Sequence, residues 1–157
     1  MDWILYFVFL ASCAVAGSTG VIFQPGRWYD DLQKPAWTPP KWVFPVVWTT
    51  LYILIALAAS RVAVQVGSAF AIGLWALQMT LNAIWSPIFF GAHRMRVGLV
   101  VIILLWFAVA ATAFFFFQFD MLAGLLFLPY LLWVSLASAL NLEILRMNVH
   151  LDGNSPE

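Results

Sequence analysis

Five apolar runs make up most of this 157-residue chain, at about residues 4–23, 43–66, 69–90, 97–119 and 122–145. At about 1.5 Å per residue, some 20 apolar residues cross the roughly 30 Å hydrocarbon core of a bilayer as a helix. Inside lipid no water satisfies backbone N–H and C=O groups, so a lone apolar run of that length is confined to a helix. Pro45 and Arg61 are the interruptions in the second run, and both sit near its ends. With 64% hydrophobic and 9% charged residues, little chain remains for anything else. The expectation is an all-α integral membrane bundle of five transmembrane helices, one domain spanning residues 1–157.

The links after the second, third and fourth spans are a few residues long. The first, residues 24–42, is long and holds Lys34-Pro35-Ala36-Trp37-Thr38-Pro39-Pro40. Proline fixes φ and restrains the residue before it, so this segment is predicted to be a stiff, ordered loop. Ordered loops of this length usually have a task. Trp28, Tyr29 and Trp37 offer stacking surfaces and Arg27, Lys34 and Lys41 offer charge for anions, so the loop is expected to act as a lid over one end of the bundle.

Of the seven Lys and Arg residues, Arg27, Lys34, Lys41, Arg94, Arg96 and Arg146 fall at one end and Arg61 at the other. The excess of basic residues on cytoplasmic loops then places the lid and C-terminus in the cytoplasm and the N-terminus outside. Leu10-Ala11-Ser12-Cys13 resembles a lipoprotein cleavage box, but residues 1–12 lack the basic start of a signal peptide, so the first span is expected to remain. Cys13 is the single cysteine, which excludes an internal disulfide and a cysteine-based metal cluster. Zero net charge and no basic run argue against nucleic acid. Helical spans fit a bacterial cell membrane, outer-membrane proteins being mostly barrels.

Polar side chains inside spans are either helix-to-helix ties or site residues. On the third span Trp75, Gln78, Asn82 and Trp85 fall within roughly 80° of arc at about 100° per residue. Tyr130, Trp133, Ala137 and Asn141 share a face of the fifth, and Trp48 and Tyr52 share one of the second. At about 1.5 Å per residue these faces converge in the cytoplasmic half, beneath the lid. A cavity lined by Trp, Tyr, Asn and Gln suits a flat, largely apolar ligand with a few polar edges. Other aromatics have plainer accounts. Trp3 and Trp42 suit an interfacial belt, and Trp106 beside Phe114 to Phe117 suits packing or lipid contact. His93 reads as a solvated loop histidine and Glu143 as a partner for Arg146. The strip Ala69-x-x-x-Gly73 with Ala76 permits close helix approach, within a subunit or between two.

Several of these residues fall into one pattern: Trp28-Tyr29, Leu32-Gln33-Lys34-Pro35-x-Trp37-x-Pro39-Pro40, Trp48-x-x-x-Tyr52, Gln78-x-x-x-Asn82-x-x-Trp85-x-Pro87-Ile88-Phe89-Phe90-Gly91, Pro129-Tyr130-Leu131-x-Trp133 and Leu140-Asn141. The chain thereby resembles the tryptophan-rich sensory protein family, also called translocator protein or peripheral benzodiazepine receptor. That resemblance implies a homodimer that binds tetrapyrroles such as protoporphyrin IX, along with sterols, lipids and benzodiazepine-type ligands. It carries the ligand-binding role onto Trp48, Tyr52, Gln78, Asn82, Trp85, Trp133 and Ala137, with Trp28, Tyr29, Lys34 and Trp37 from the lid. Where mammalian relatives carry a Tyr in a sterol motif, this chain has Leu142, although Arg146 remains. Such motifs are weak predictors of sterol binding.

The expected function is a tetrapyrrole receptor or translocator with a sensory or transport role, needing no cofactor beyond the porphyrin as ligand. An alternative implied by the resemblance is light- and oxygen-dependent porphyrin breakdown. No acid-base pair, triad or metal cluster is legible for other chemistry. Ion-coupled transport fits poorly, since no carboxylate lies deep in a span and no internal repeat is visible.

Overall fold

The computed structural model describes residues 2–152; Met1 and the polar tail 153–157 lie outside that description. Five long helices carry the fold: α1 (Trp3–Ile22), α3 (Val43–Ala63), α4 (Ala69–Ser86), α5 (Met95–Phe119) and α6 (Met121–Met147). Each is long and apolar enough to cross a membrane. A five-residue helix, α2 (Arg27–Asp31), lies inside the long loop. The lid therefore carries a helical turn where the sequence reading had only an ordered loop.

Local chemistry sets the ends. Asp2 caps α1 by accepting the N–H groups of Ile4 and Leu5, and Asp120 caps α6 by accepting that of Ala123. Pro45 sits in the first turn of α3, where its missing N–H would have had no helical partner anyway. α3 stops at Ala63, short of the expected residue 66, and Gly67 turns the chain at φ 83°. α5 and α6 begin earlier than expected, at Met95 and Met121, and α6 runs two residues further, to Met147. α4 ends at Ser86 and continues as a π turn over Pro87–Gly91, with Ala92 N–H bonding Pro87 O at 2.8 Å. Pro87 cannot donate into the helical ladder, and the wider turn absorbs that break.

The helices close a ring in the order α1, α3, α6, α5, α4 and back to α1, with α5 and α6 sharing the most extensive contact. Large apolar side chains such as Val8, Phe70, Phe107, Phe114 and Leu132 point outward around the whole ring, as lipid contact requires. The main core extends to the end away from the lid, where Ala56, Ala58, Ala59 and Val62 belong to one cluster with Val109, Phe116 and Phe127. Arg61 and Asp120 clamp α3 to α6 at that end with a 2.7 Å ion pair. The hydrogen bond from Arg61 holds the Asp120 carboxyl below its ordinary range, against the opposing effect of burial.

Gly124 lets α6 fold back against α5 directly after the turn. A methyl group there would fall inside the Phe117 ring. Gly124→Ala should therefore destabilise the bundle by about 1–3 kcal/mol, the usual cost of overpacking, read as a lower midpoint in sodium dodecyl sulfate unfolding. An unchanged midpoint would mean that the ring swings aside freely.

Candidate functional site

Tyr52 on α3, Asn82 and Gln78 on α4, and Tyr130 on α6 meet in the interior of the ring. Their hydrogen bonds run in one direction. The Tyr52 hydroxyl donates to Asn82 Oδ1 at 2.8 Å, Asn82 Nδ2 donates to the Tyr130 hydroxyl at 3.0 Å, and that hydroxyl donates to Gln78 Oε1 at 2.9 Å. Gln78 and Tyr130 are wholly buried. Both amides thus tie helices together, the competing account of their role, while occupying the face expected to line a site.

The chain of bonds ends unsatisfied. Gln78 Nε2 has no partner, nor do the indole nitrogens of Trp75 and Trp133. A buried donor left unpaired costs about 1–3 kcal/mol, so these N–H groups favour an acceptor that comes to them.

Aromatic rings surround the polar chain. Trp48 packs on Tyr52 with ring centroids 5.5 Å apart and edge-on to Tyr130 at 6.0 Å. Trp85 stacks on Phe89 at 5.0 Å and 15°, and its indole donates to Asn141 Oδ1 at 3.4 Å. Trp133 meets Phe44 edge-on at 5.6 Å. Ala137 packs, half-buried, against the same core. Tyr52 lies against Gly17 of α1, where a side chain would strike its ring.

The lid residues behave differently from one another. Trp28 and Tyr29 are buried in a second small core with Leu32, Phe89, Met95, Leu140 and Ile144. Trp28 stacks on His93 at 4.3 Å and 18°. His93 is therefore half-buried packing rather than a solvated loop residue, and it takes φ 54° at the end of the π turn. Lys34 has a different task from anion capture. Its ammonium spends all three hydrogens on the carbonyls of Tyr29, Asp30 and Leu32, at 2.6, 3.0 and 2.8 Å, closing the end of α2. Burial lowers its pKa, with Asp30 acting in the opposite sense. Trp37 remains half-exposed on the loop surface.

Asn148, absent from the sequence expectations, fastens the lid. It is buried beyond the end of α6, accepts the Gln33 N–H at 2.9 Å and donates to Gln33 O and Ile144 O at 2.8 Å each. An asparagine just past an apolar run carries no signal in the sequence, because its partner lies 115 residues away. Tyr130 was legible on the polar face of its span, but its place between two amides depends on how α4 and α6 meet. Glu143 pairs with Arg146 at 2.7 Å, as its spacing suggested. Trp106 packs with a polar tie added, donating to Ser135 Oγ at 2.7 Å.

A concavity of about 440 Å³, open outward, lies on the flank between α3 and α6, with Trp133 on its wall. Among the described residues no three His, Cys, Asp or Glu side chains come together as a metal site would need.

Comparison with known proteins agrees with this architecture. The model of the TspO/MBR family matches residues 7–147. The chain is 49% identical over 148 residues to the tryptophan-rich sensory protein of Cereibacter sphaeroides, covering 94% of each chain. It is 48% identical over 152 residues to protein CrtK of Rhodobacter capsulatus, covering 94% of this chain and 95% of that one. To the human translocator protein it is 40% identical over 137 residues, covering 84% and 81% respectively.

Proposed function

The chain belongs to the TspO/MBR family, and on that premise we propose that it is a membrane receptor or translocator for tetrapyrroles such as protoporphyrin IX. The observation that carries this reading is the ring of Trp48, Trp85 and Trp133 around a buried amide and tyrosine chain that still holds unpartnered donors. A planar macrocycle would stack on the indoles and offer acceptors to Gln78 Nε2 and Trp133 Nε1. Tyr52, Asn82 and Ala137 complete the wall. Trp28, Tyr29 and Lys34 act at one remove, holding the lid in shape, and Trp37 is the lid aromatic placed to meet a ligand from outside.

The proposed orientation puts the lid end in the cytoplasm of a bacterial cell, following the six basic residues gathered there. A second copy of the chain would cover the exposed face of α4, where Gly73 looks onto open space between Ala69 and Ala76. Sterol or lipid would be a secondary ligand class.

The test is a dark titration of the purified protein with protoporphyrin IX, following quenching of tryptophan emission. Wild type should saturate. Trp48→Phe/Trp133→Phe should bind about 10-fold more weakly, since the phenyl rings keep a smaller stacking face and the Trp133 donor is lost. Unchanged affinity in the double variant would sink the assigned site. Illuminating the same samples separates binding from breakdown. Bleaching of the porphyrin that depends on those two tryptophans would favour the degradative reading.

A further inference from the structure

We infer that the flank between α3 and α6 is the bilayer-side entrance to the ligand site, docking a flat, membrane-dissolved ring system that carries a hydrogen-bond acceptor. The inference rests on the ligand class proposed above and adds where that ligand arrives.

The lid is an unfavourable door. Opening it would break the two bonds that Asn148 makes to Gln33, and would expose Trp28, Tyr29 and Leu32. The flank already stands open, an apolar groove of about 440 Å³ walled by Val46, Thr50 and Leu54 on α3 and Pro129, Trp133 and Leu136 on α6. That volume lies within the range of small-molecule sites. Pro129, one turn from Trp133, has no N–H for the carbonyl of Leu125, so α6 lacks a ladder bond beside the groove and can flex there.

Depth selects the occupant. Trp133 stands about 18 Å from one end of α6 and about 21 Å from the other at 1.5 Å per residue, close to the bilayer midplane. Phospholipid ester oxygens begin about 15 Å from that plane, at the edge of the roughly 30 Å core. A sterol hydroxyl, which seeks water, is held at the same edge. Neither reaches a donor at mid-depth. The Trp133 ring forms groove wall, while its N–H is covered and unpartnered behind it. A rigid macrocycle whose acidic side chains stay at the edge of the core still extends inward and carries ring-nitrogen acceptors toward this N–H.

The experiment uses the full chain in vesicles, mixed with donor vesicles whose bilayer is loaded with protoporphyrin IX, and records the rate of tryptophan quenching. Val46→Phe/Thr50→Phe fills the groove from two lipid-exposed positions outside the core. It should slow loading about tenfold or more while the end-point affinity stays within about threefold, a kinetic effect within the one to three decades seen among related complexes. Asn148→Ala, which frees the lid, should load at the wild-type rate. Loading of the groove-filled variant at the wild-type rate, or a strong acceleration by Asn148→Ala, would overturn the entrance while leaving the ligand class standing. A wild-type protein with no saturable quenching would overturn both.

Discussion

Tyr130→Phe should lower the stability of the bundle by about 1–3 kcal/mol, through one oxygen atom. That hydroxyl accepts from Asn82 and donates to Gln78, so its removal orphans a donor on one amide and an acceptor on the other, both inside the ring. Two orphaned groups in a water-soluble core would cost about 2–6 kcal/mol. In a bilayer the separated helices also find partners, and measured couplings average only about 0.6 kcal/mol with a maximum near 1.7, which sets the lower range. The mechanism makes a sharper prediction than the magnitude. Tyr130→Phe combined with Gln78→Leu should cost less than the sum of the two single changes, because one orphan disappears with its partner. Sodium dodecyl sulfate titration followed by circular dichroism reads both. Strict additivity would mean that the hydroxyl and the amide do not communicate.

The second large effect concerns the lid. Asn148→Ala removes two bonds to Gln33 and leaves a buried hole where the amide sat. Each lost bond contributes about 1 kcal/mol, and together with the hole the lid should open about 30–100-fold more often. Arg27 then becomes the measure, since trypsin cuts after it, whereas Pro35 protects Lys34, and the buried Trp28 on the far side of that bond is reached only when the segment detaches. Cleavage should accelerate by that factor when reclosing outpaces cutting. The five helices should keep their far-ultraviolet circular dichroism. A cleavage rate equal to wild type would show that the lid is held by Trp28 and Tyr29 alone.

The parts of this protein legible in its sequence are those for which the solvent makes the decision. Twenty apolar residues in lipid have one backbone solution, so the five helices could be read within a few residues of their ends, and the polar faces of α3, α4 and α6 followed from helical spacing. The ends moved for local reasons, such as the proline that turns the last part of α4 into a wider coil. Lys34 shows the limit of reading by residue type. A lysine among aromatics in a loop suggests an anion site, yet the short helix α2 ends beside it and presents three carbonyls, a demand invisible until the loop has a shape. His93 departs from the expectation of a solvated loop residue for the same reason, its surroundings being set by Trp28 some 65 residues earlier.

The sequence by itself determined the number of spans, their length, which residues of each are polar, and the family to which the chain belongs. Only the tertiary structure decided that Tyr130 stands between two amides, that Asn148 holds the lid, and that an open groove runs along the α3–α6 flank with Trp133 on its wall. Lipid specifies helices one at a time, through a cost that every residue meets alone. It gives apolar helices little reason to prefer one neighbour over another, so partners are chosen by side-chain fit and by a few buried hydrogen bonds between residues far apart in the chain.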